Sequence, residues 1–294
     1  METRLMVNYP PVPNPRPAKF APPSGACDTH FHIYGPPHLY PYVENRRSTP
    51  PAAPIEHYLN MADVLGLERG VLVQPNVHGF ETAVVTDAIA RAPDRLRGVI
   101  NANPDLGADE IAALHAGGVR GIRLNITHAH GKGFTREIFA AQIAKIAHLP
   151  WSVDLHCDLD SVVAHAEVLD SAALPVVIDH FARCDGARGT DDPDFRVMAD
   201  LAAAGNVWIK IGGADRLMSR GAKYADIVAM ARALIDRAPE RIIWGTDWPH
   251  SEVWQPGKMP NDGDLLDMVA DYAPDAGARR KILADNPAAL YGFD

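Results

Sequence analysis

Short apolar runs that end in polar residues recur about every 30 residues along this chain. They fall at 25–34, 70–77, 96–103, 119–126, 151–157, 176–181, 207–212 and 241–247. The runs are rich in β-branched residues and nearly continuous, as parallel strands covered on both faces should be. Between them lie Ala- and Leu-rich stretches with helical spacing, at 81–91, 109–116, 135–147, 161–169, 195–204 and 224–237, with a closing helix at 277–283. Eight strand–helix units without a break in composition predict an α/β fold, a single (β/α)8 TIM barrel over residues 25–294. An open doubly wound sheet would need a Gly-rich phosphate turn after an early strand, and none is present. Residues 1–24 are Pro-rich and read as an extended arm, lying on the surface or on a neighbouring subunit.

The chemistry follows from where a barrel puts its polar groups. Residues at the C-terminal ends of barrel strands line the site. Those ends carry His30 and His32, Gln74 and Asn76, Asn101 and Asn103, Arg123 and Asn125, Asp154 and His156, Asp179 and His180, Lys210, and Asp247. Buried polar groups cost free energy unless paired, so a ring of them at one mouth implies function.

Alternate side chains on a strand face the same way, so His30 and His32 project inward together. Thr29 and Phe31 then face the helices, and Asp28 is positioned to accept a histidine N–H or to cap the interior. Two histidines at this spacing also occur as plain core residues, but His156, His180 and Asp247 on three other strand ends favour a site. Asp247, in Trp244-Gly-Thr-Asp-Trp-Pro-His250, is the candidate general base; the bland alternative is a helix N-cap. The set His30, His32, His156 and Asp247 suits one divalent ion, Zn or Mn. His180 then polarises a carbonyl or orients water. A metal-independent reaction by the same residues is the alternative.

Arg123, Arg183 and Arg216 can hold substrate carboxylates through paired hydrogen bonds. Ion pairing with Asp179, Asp185 or Asp215 is their bland reading. Asn76 and His250 join them as candidate substrate contacts. His128 and His130, with Lys132, lie in a Gly-rich loop that reads as a lid.

These motifs bear a resemblance that covers residues 25–293. Asp-Thr-His-Phe-His-Ile-Tyr-Gly, Val-Ile-Asp-His-Phe-Ala-Arg, Gly-Thr-Asp-Trp-Pro-His and Asn-Pro-Ala-Ala-Leu-Tyr-Gly are similar to those of the amidohydrolase superfamily, in its pyrone-dicarboxylate and sugar-acid lactonase branch. The resemblance implies a barrel that hydrolyses a small lactone. It implies an acid/base role for Asp247, with His30, His32 and His180 polarising the carbonyl. Arg123 and Arg216 fall in segments that match substrate-binding ones. A lactone isomerase or a metal-dependent decarboxylase would use the same site, and a non-catalytic anion binder is the reading from another class.

Composition narrows the partners. Of 294 residues, 28 are basic and 37 acidic, a net charge of −9, which argues against nucleic acid or an anionic membrane as partner. A small anionic substrate drawn to a local cluster of arginines fits better. No signal-like or spanning apolar segment is visible, and three widely spaced cysteines form no framework, so a cytoplasmic enzyme is expected. The arm, with Tyr40 and Tyr42, permits a homo-oligomer without requiring one.

Overall fold

The structure, a computed structural model, describes residues 6–46, 48–126 and 135–294. The lid candidates His128, His130 and Lys132 lie outside the described residues.

Among the described residues, eight parallel strands follow one another around a barrel. They are β1 (Cys27–Phe31), β2 (Arg69–Val73), β3 (Leu96–Asn101), β4 (Val119–Asn125), β5 (Ser152–His156), β6 (Val176–Ile178), β7 (Val207–Lys210) and β8 (Ile242–Ile243). β8 is far shorter than the predicted 241–247, because the chain leaves the ladder at Trp244 to form the mouth. The ring closes through main-chain bonds from Thr29 N–H to the Trp244 carbonyl (3.0 Å), from Asp247 N–H to His30 (2.8 Å) and from His32 N–H to Trp248 (2.7 Å). That closure needs bare backbone at one point. A Cβ on Gly245 would lie 2.6 Å from the His30 nitrogen.

The helices between strands are α1 (Ile55–Leu65), α2 (Ala83–Arg91), α3 (Ala108–Ala116), α4 (Arg136–Ile146), α5 (Leu159–Ala164), α6 (Ala166–Asp170), α7 (Pro193–Ala204), α8 (Ala214–Ser219) and α9 (Tyr224–Arg237). α10 (Asp262–Tyr272), α11 (Ala276–Arg280) and α12 (Asn286–Tyr291) complete the chain. The helix predicted over 161–169 is broken at His165, which leaves helical geometry with ψ 13° and φ −117°. No helix among the described residues is long and apolar enough to cross a membrane.

Two apolar layers result. Outside the ring, strand residues such as Phe31, Ile100 and Ile178 meet helix residues such as Tyr58, Ile89 and Met230. Phe31 stacks on Tyr58 of α1 with centroids 3.4 Å apart, so it faces the helices as expected. Inside, Cys27, Val71, Val73, Val99, Val177 and Ile243 fill the barrel, with Tyr291 and Phe293 from the C-terminal segment packed beneath. Each such side chain contributes roughly 1.5–3 kcal/mol by leaving water. Cys27 and His30 both belong to the interior, although strict alternation would put them on opposite faces. The register explains it: Asp28 pairs with Gly70 but Phe31 pairs with Leu72, so β1 carries one extra residue there. This bulge resets the alternation and turns His30 and His32 into the mouth.

Candidate active site

The bulge and the turn after β8 bring one carboxylate among three imidazoles. Asp247 Oδ1 lies 3.4 Å from His32 Nε2 and 3.8 Å from both His30 Nε2 and His180 Nε2. Asp247 itself sits at φ 63°, in the left-handed region, where no helix follows and no N-cap forms. Trp248 N–H bonds the Thr246 hydroxyl, and that hydroxyl donates to Asp28 Oδ2 at 2.6 Å. Asp28 therefore braces the turn. It accepts from the backbone of His30 and Thr246 and, among the described residues, from no histidine ring, so of the two expected roles that of accepting a histidine N–H is not seen. Burial raises its carboxyl to about 7, against the lowering effect of the Thr246 hydroxyl.

β6 ends in an unusual turn. His180, Phe181, Ala182 and Arg183 have φ of 50°, 55°, 52° and 52°. Four successive left-handed residues without a glycine are costly, and they aim His180 at Asp247. Gly213 makes room for the ring. A Cβ there would lie 2.8 Å from His180 Nδ1.

A fully buried charged group supports the site from below. Lys210 Nζ lies 2.6 Å from Asp154 Oδ2, 3.1 Å from Asp179 Oδ1 and 3.2 Å from His30 Nδ1. Asp179 also takes Arg123, with Nη2 at 2.8 Å and Nε at 2.9 Å from Oδ2. Burial alone would raise the Asp179 carboxyl, but Lys210 and then Arg123 hold it well below its usual range. Burial would lower the Lys210 ammonium, and Asp154 and Asp179 raise it instead.

The same competition sets Asp247. Burial pushes its carboxyl up, but Arg216 and then His180 hold it well below the usual carboxylate range. Arg216 Nε donates to Asp247 Oδ2, and Nη1 donates to the Ser251 carbonyl at 2.8 Å. Burial lowers His30 well below the ordinary histidine value and lowers His180 as well, so both rings are neutral near pH 7.

These residues open onto a cavity of about 360 Å³. Arg123, Arg183, Arg216, Asn76, Asn125 and His156 line it. Gln74 and Asn101 stand back and brace the loop that carries Asn76, through bonds to the Gly79 carbonyl at 3.1 and 2.7 Å. Sequence reasoning missed Asn8, Asn45, Arg46, Ser48 and Arg220, which also line the cavity. They come from the arm and from irregular loops, where no periodicity points inward. Five arginines and two carboxylates face this space, a positive pocket in an acidic protein.

Two expectations need correction. His250 does not reach the cavity. It is fully buried, and its Nε2 lies 2.9 Å from Asp262 Oδ1, with Asp215 at 3.9 Å from Nδ1. Burial would lower this ring, but Asp262 raises it. His156 does not join the ligand set, because its Nε2 faces the Arg183 guanidinium at 2.9 Å. His30, His180 and Asp247 offer ligand atoms that all fall within 4.8 Å of one another, and His32 Nε2 lies 3.4 Å from both His30 Nε2 and Asp247 Oδ1. Two imidazoles and a carboxylate are a donor set that fits one divalent ion. His32 directs Nδ1 to the Val73 carbonyl at 2.7 Å and turns Nε2 toward the same space.

The chain is 43% identical over 288 residues to a 4-sulfomuconolactone hydrolase of Rhizobium radiobacter, covering 96% of each. It is 33% identical to a 2-pyrone-4,6-dicarboxylate hydrolase of Comamonas testosteroni, over 95% of this chain and 93% of the relative. A probable 2-pyrone-4,6-dicarboxylic acid hydrolase from Acinetobacter baumannii, solved with citric acid bound, superposes with a TM-score of 0.80 at 28% identity, covering 92% of this chain and all of the other. The amidohydrolase family model matches residues 27–293, and the chain belongs to that family.

Proposed function

We propose that this chain is a lactonase, opening the ring of a small lactone that carries one or more anionic groups. The observation that carries the proposal is an ionised Asp247 set among His30, His32 and His180 at the floor of an arginine-lined cavity. The hydrolases of similar sequence support it.

The residues divide the work as follows. Asp247 takes a proton from water, and the oxygen attacks the lactone carbonyl. The tetrahedral oxyanion needs N–H donors. His32 spends its Nδ1 proton on the Val73 carbonyl, so its Nε2 is an acceptor. His30 Nδ1 lies between Lys210 Nζ at 3.2 Å and Asp179 Oδ1 at 3.3 Å, and when it accepts from Lys210 the His30 proton stands on Nε2, facing the cavity. In that tautomer His30 is an oxyanion donor, and we assign the same role to His180, whose Nε2 turns toward Asp247. The ring C–O bond then breaks, and Asp247 returns its proton to the leaving oxygen.

A carboxylate held so far down is a weak base. Arg216 supplies the remedy, because an anionic substrate group competes with Asp247 for that guanidinium. Binding thereby loosens the ion pair and strengthens the base when it is needed. Arg123, Arg183 and Asn76, with His156 behind Arg183, hold the rest of the substrate.

His30, His180 and Asp247 would hold a divalent ion, zinc or manganese, and when bound it supplies a Lewis acid for the carbonyl. Asp179 Oδ1, 3.3 Å from His30 Nδ1, can accept that ring's proton and free Nε2 as a ligand. We place the reaction in the cytoplasm, a reading supported by Cys27, Cys157 and Cys184, all unbridged.

The test is acid release, followed with a pH indicator, from a panel of pyrone-dicarboxylate, sulfonated muconolactone and sugar-acid lactones. Rapid release from one class is expected. A folded, zinc-supplied protein that opens none of them overturns the proposal.

A further inference from the structure

The start of the described chain is built into the rim of the cavity. Met6 and Val7 pair in parallel with Ser48 and Thr49, in the loop after β1. Tyr9 N–H bonds the Val253 carbonyl at 3.1 Å, in the loop after β8. The arm therefore ties together the two loops that flank the closure of the barrel, and Asn8 lies between these two attachments.

Asn8 is 4% exposed and lines the same cavity as Asp247 and Arg216. Its Oδ1 accepts the Glu252 N–H at 3.0 Å, which fixes the orientation of the carboxamide. The amide nitrogen is then the other arm. Nδ2 is buried and has no hydrogen-bond partner among the described residues. A buried donor without an acceptor is costly, and such groups call for an explanation. A donor fixed at the wall of a positive pocket is explained by a ligand oxygen. The neighbouring residue, Ser251, accepts Arg216 Nη1 through its carbonyl, so one short loop segment places Asn8 and Arg216 at the same end of the cavity.

We propose that Asn8 is a substrate-binding residue, whose Nδ2 donates a hydrogen bond to the anionic group that Arg216 engages, a carboxylate or sulfonate oxygen. The proposal rests on the lactonase reading for the identity of the substrate, but not for the existence of the contact. The arm is thus part of the specificity apparatus. A hydrogen bond to a charged group gives the expected size of the effect, on the order of tenfold or more in affinity.

Two variants test it. Asn8→Ala removes the donor, and Asn8→Asp keeps the acceptor for Glu252 N–H while replacing the donor with a carboxylate. With a lactone that the wild type opens, KM should rise about tenfold in the first and further in the second. The kcat should stay within about threefold, and the melting temperature of Asn8→Asp should stay close to that of the wild type, since the bond from Glu252 N–H is kept. Binding of citrate, measured by calorimetry, should weaken in parallel. KM and citrate affinity within about twofold of wild type in both variants overturn the assignment. A wild type that opens no lactone refutes the lactonase reading alone, because citrate binding still decides the role of Asn8. A wild type that also binds no citrate overturns both.

Discussion

Lys210 Nζ lies 2.6 Å from Asp154 Oδ2, and neither side chain has any contact with solvent. The pair sits directly beneath His30, with Asp179 beside it. Two carboxylates and one ammonium in a dry interior hold together only while all are present, because each charge offsets the desolvation of the others. Lys210→Met should therefore cost about 3–5 kcal/mol in a urea melt, although methionine fills the space well. A loss below about 1 kcal/mol would mean that water or a proton compensates, and that Lys210 does not fix the ring of His30.

Asp247→Asn keeps the shape of the site and removes the base. A kcat lower by about a thousandfold is expected, with the fold intact by circular dichroism. Retention of a tenth or more of the wild-type rate would remove Asp247 from the mechanism.

The ligand group makes a prediction that separates His180 from His156. Elemental analysis after zinc loading should find about one ion per chain in the wild type and in His156→Ala, and far less in His180→Ala. Zinc lost in His156→Ala and kept in His180→Ala would return the site to the set expected from sequence, with His156 as a ligand.

His250 gives stability a pH dependence whose sign can be worked out. Asp262 raises its folded value above the unfolded value of about 6.5. The stabilisation is fully present below about 6.5 and is lost as pH rises through the raised value. Melting temperatures should fall from pH 6.5 upward more steeply in the wild type than in His250→Asn. Parallel curves would show that the ring does not titrate with folding.

Much of this could be read in the sequence because it rests on periodicity. The eight apolar runs and the His30, His32, His180 and Asp247 positions all lie on or beside strands, whose inward direction is fixed by geometry. Even there the reading of β1 was fortunate, since the pair faces inward only because an extra residue at Asp28–Phe31 shifts the phase. His250 and His156 show the limit. Both lie near strand ends, but what decides their role is the partner each finds, Asp262 in α10 and Arg183 in the turn after β6. Asn8 was out of reach for a different reason. Its place depends on backbone pairing between two irregular segments more than forty residues apart, and nothing in the local sequence specifies that pairing.

The turn at 180–183 has a consequence in terms of handedness. Four L-residues wind there in the sense that their mirror images would prefer. Ala182 is buried, so no side chain beyond a methyl has to be reconsidered. A chain assembled by ligation with D-alanine at this one position should hold the turn with less strain than the natural protein does. The ribosome cannot supply that residue. Among encoded residues glycine alone adopts this conformation freely, and it would loosen the unfolded chain in exchange.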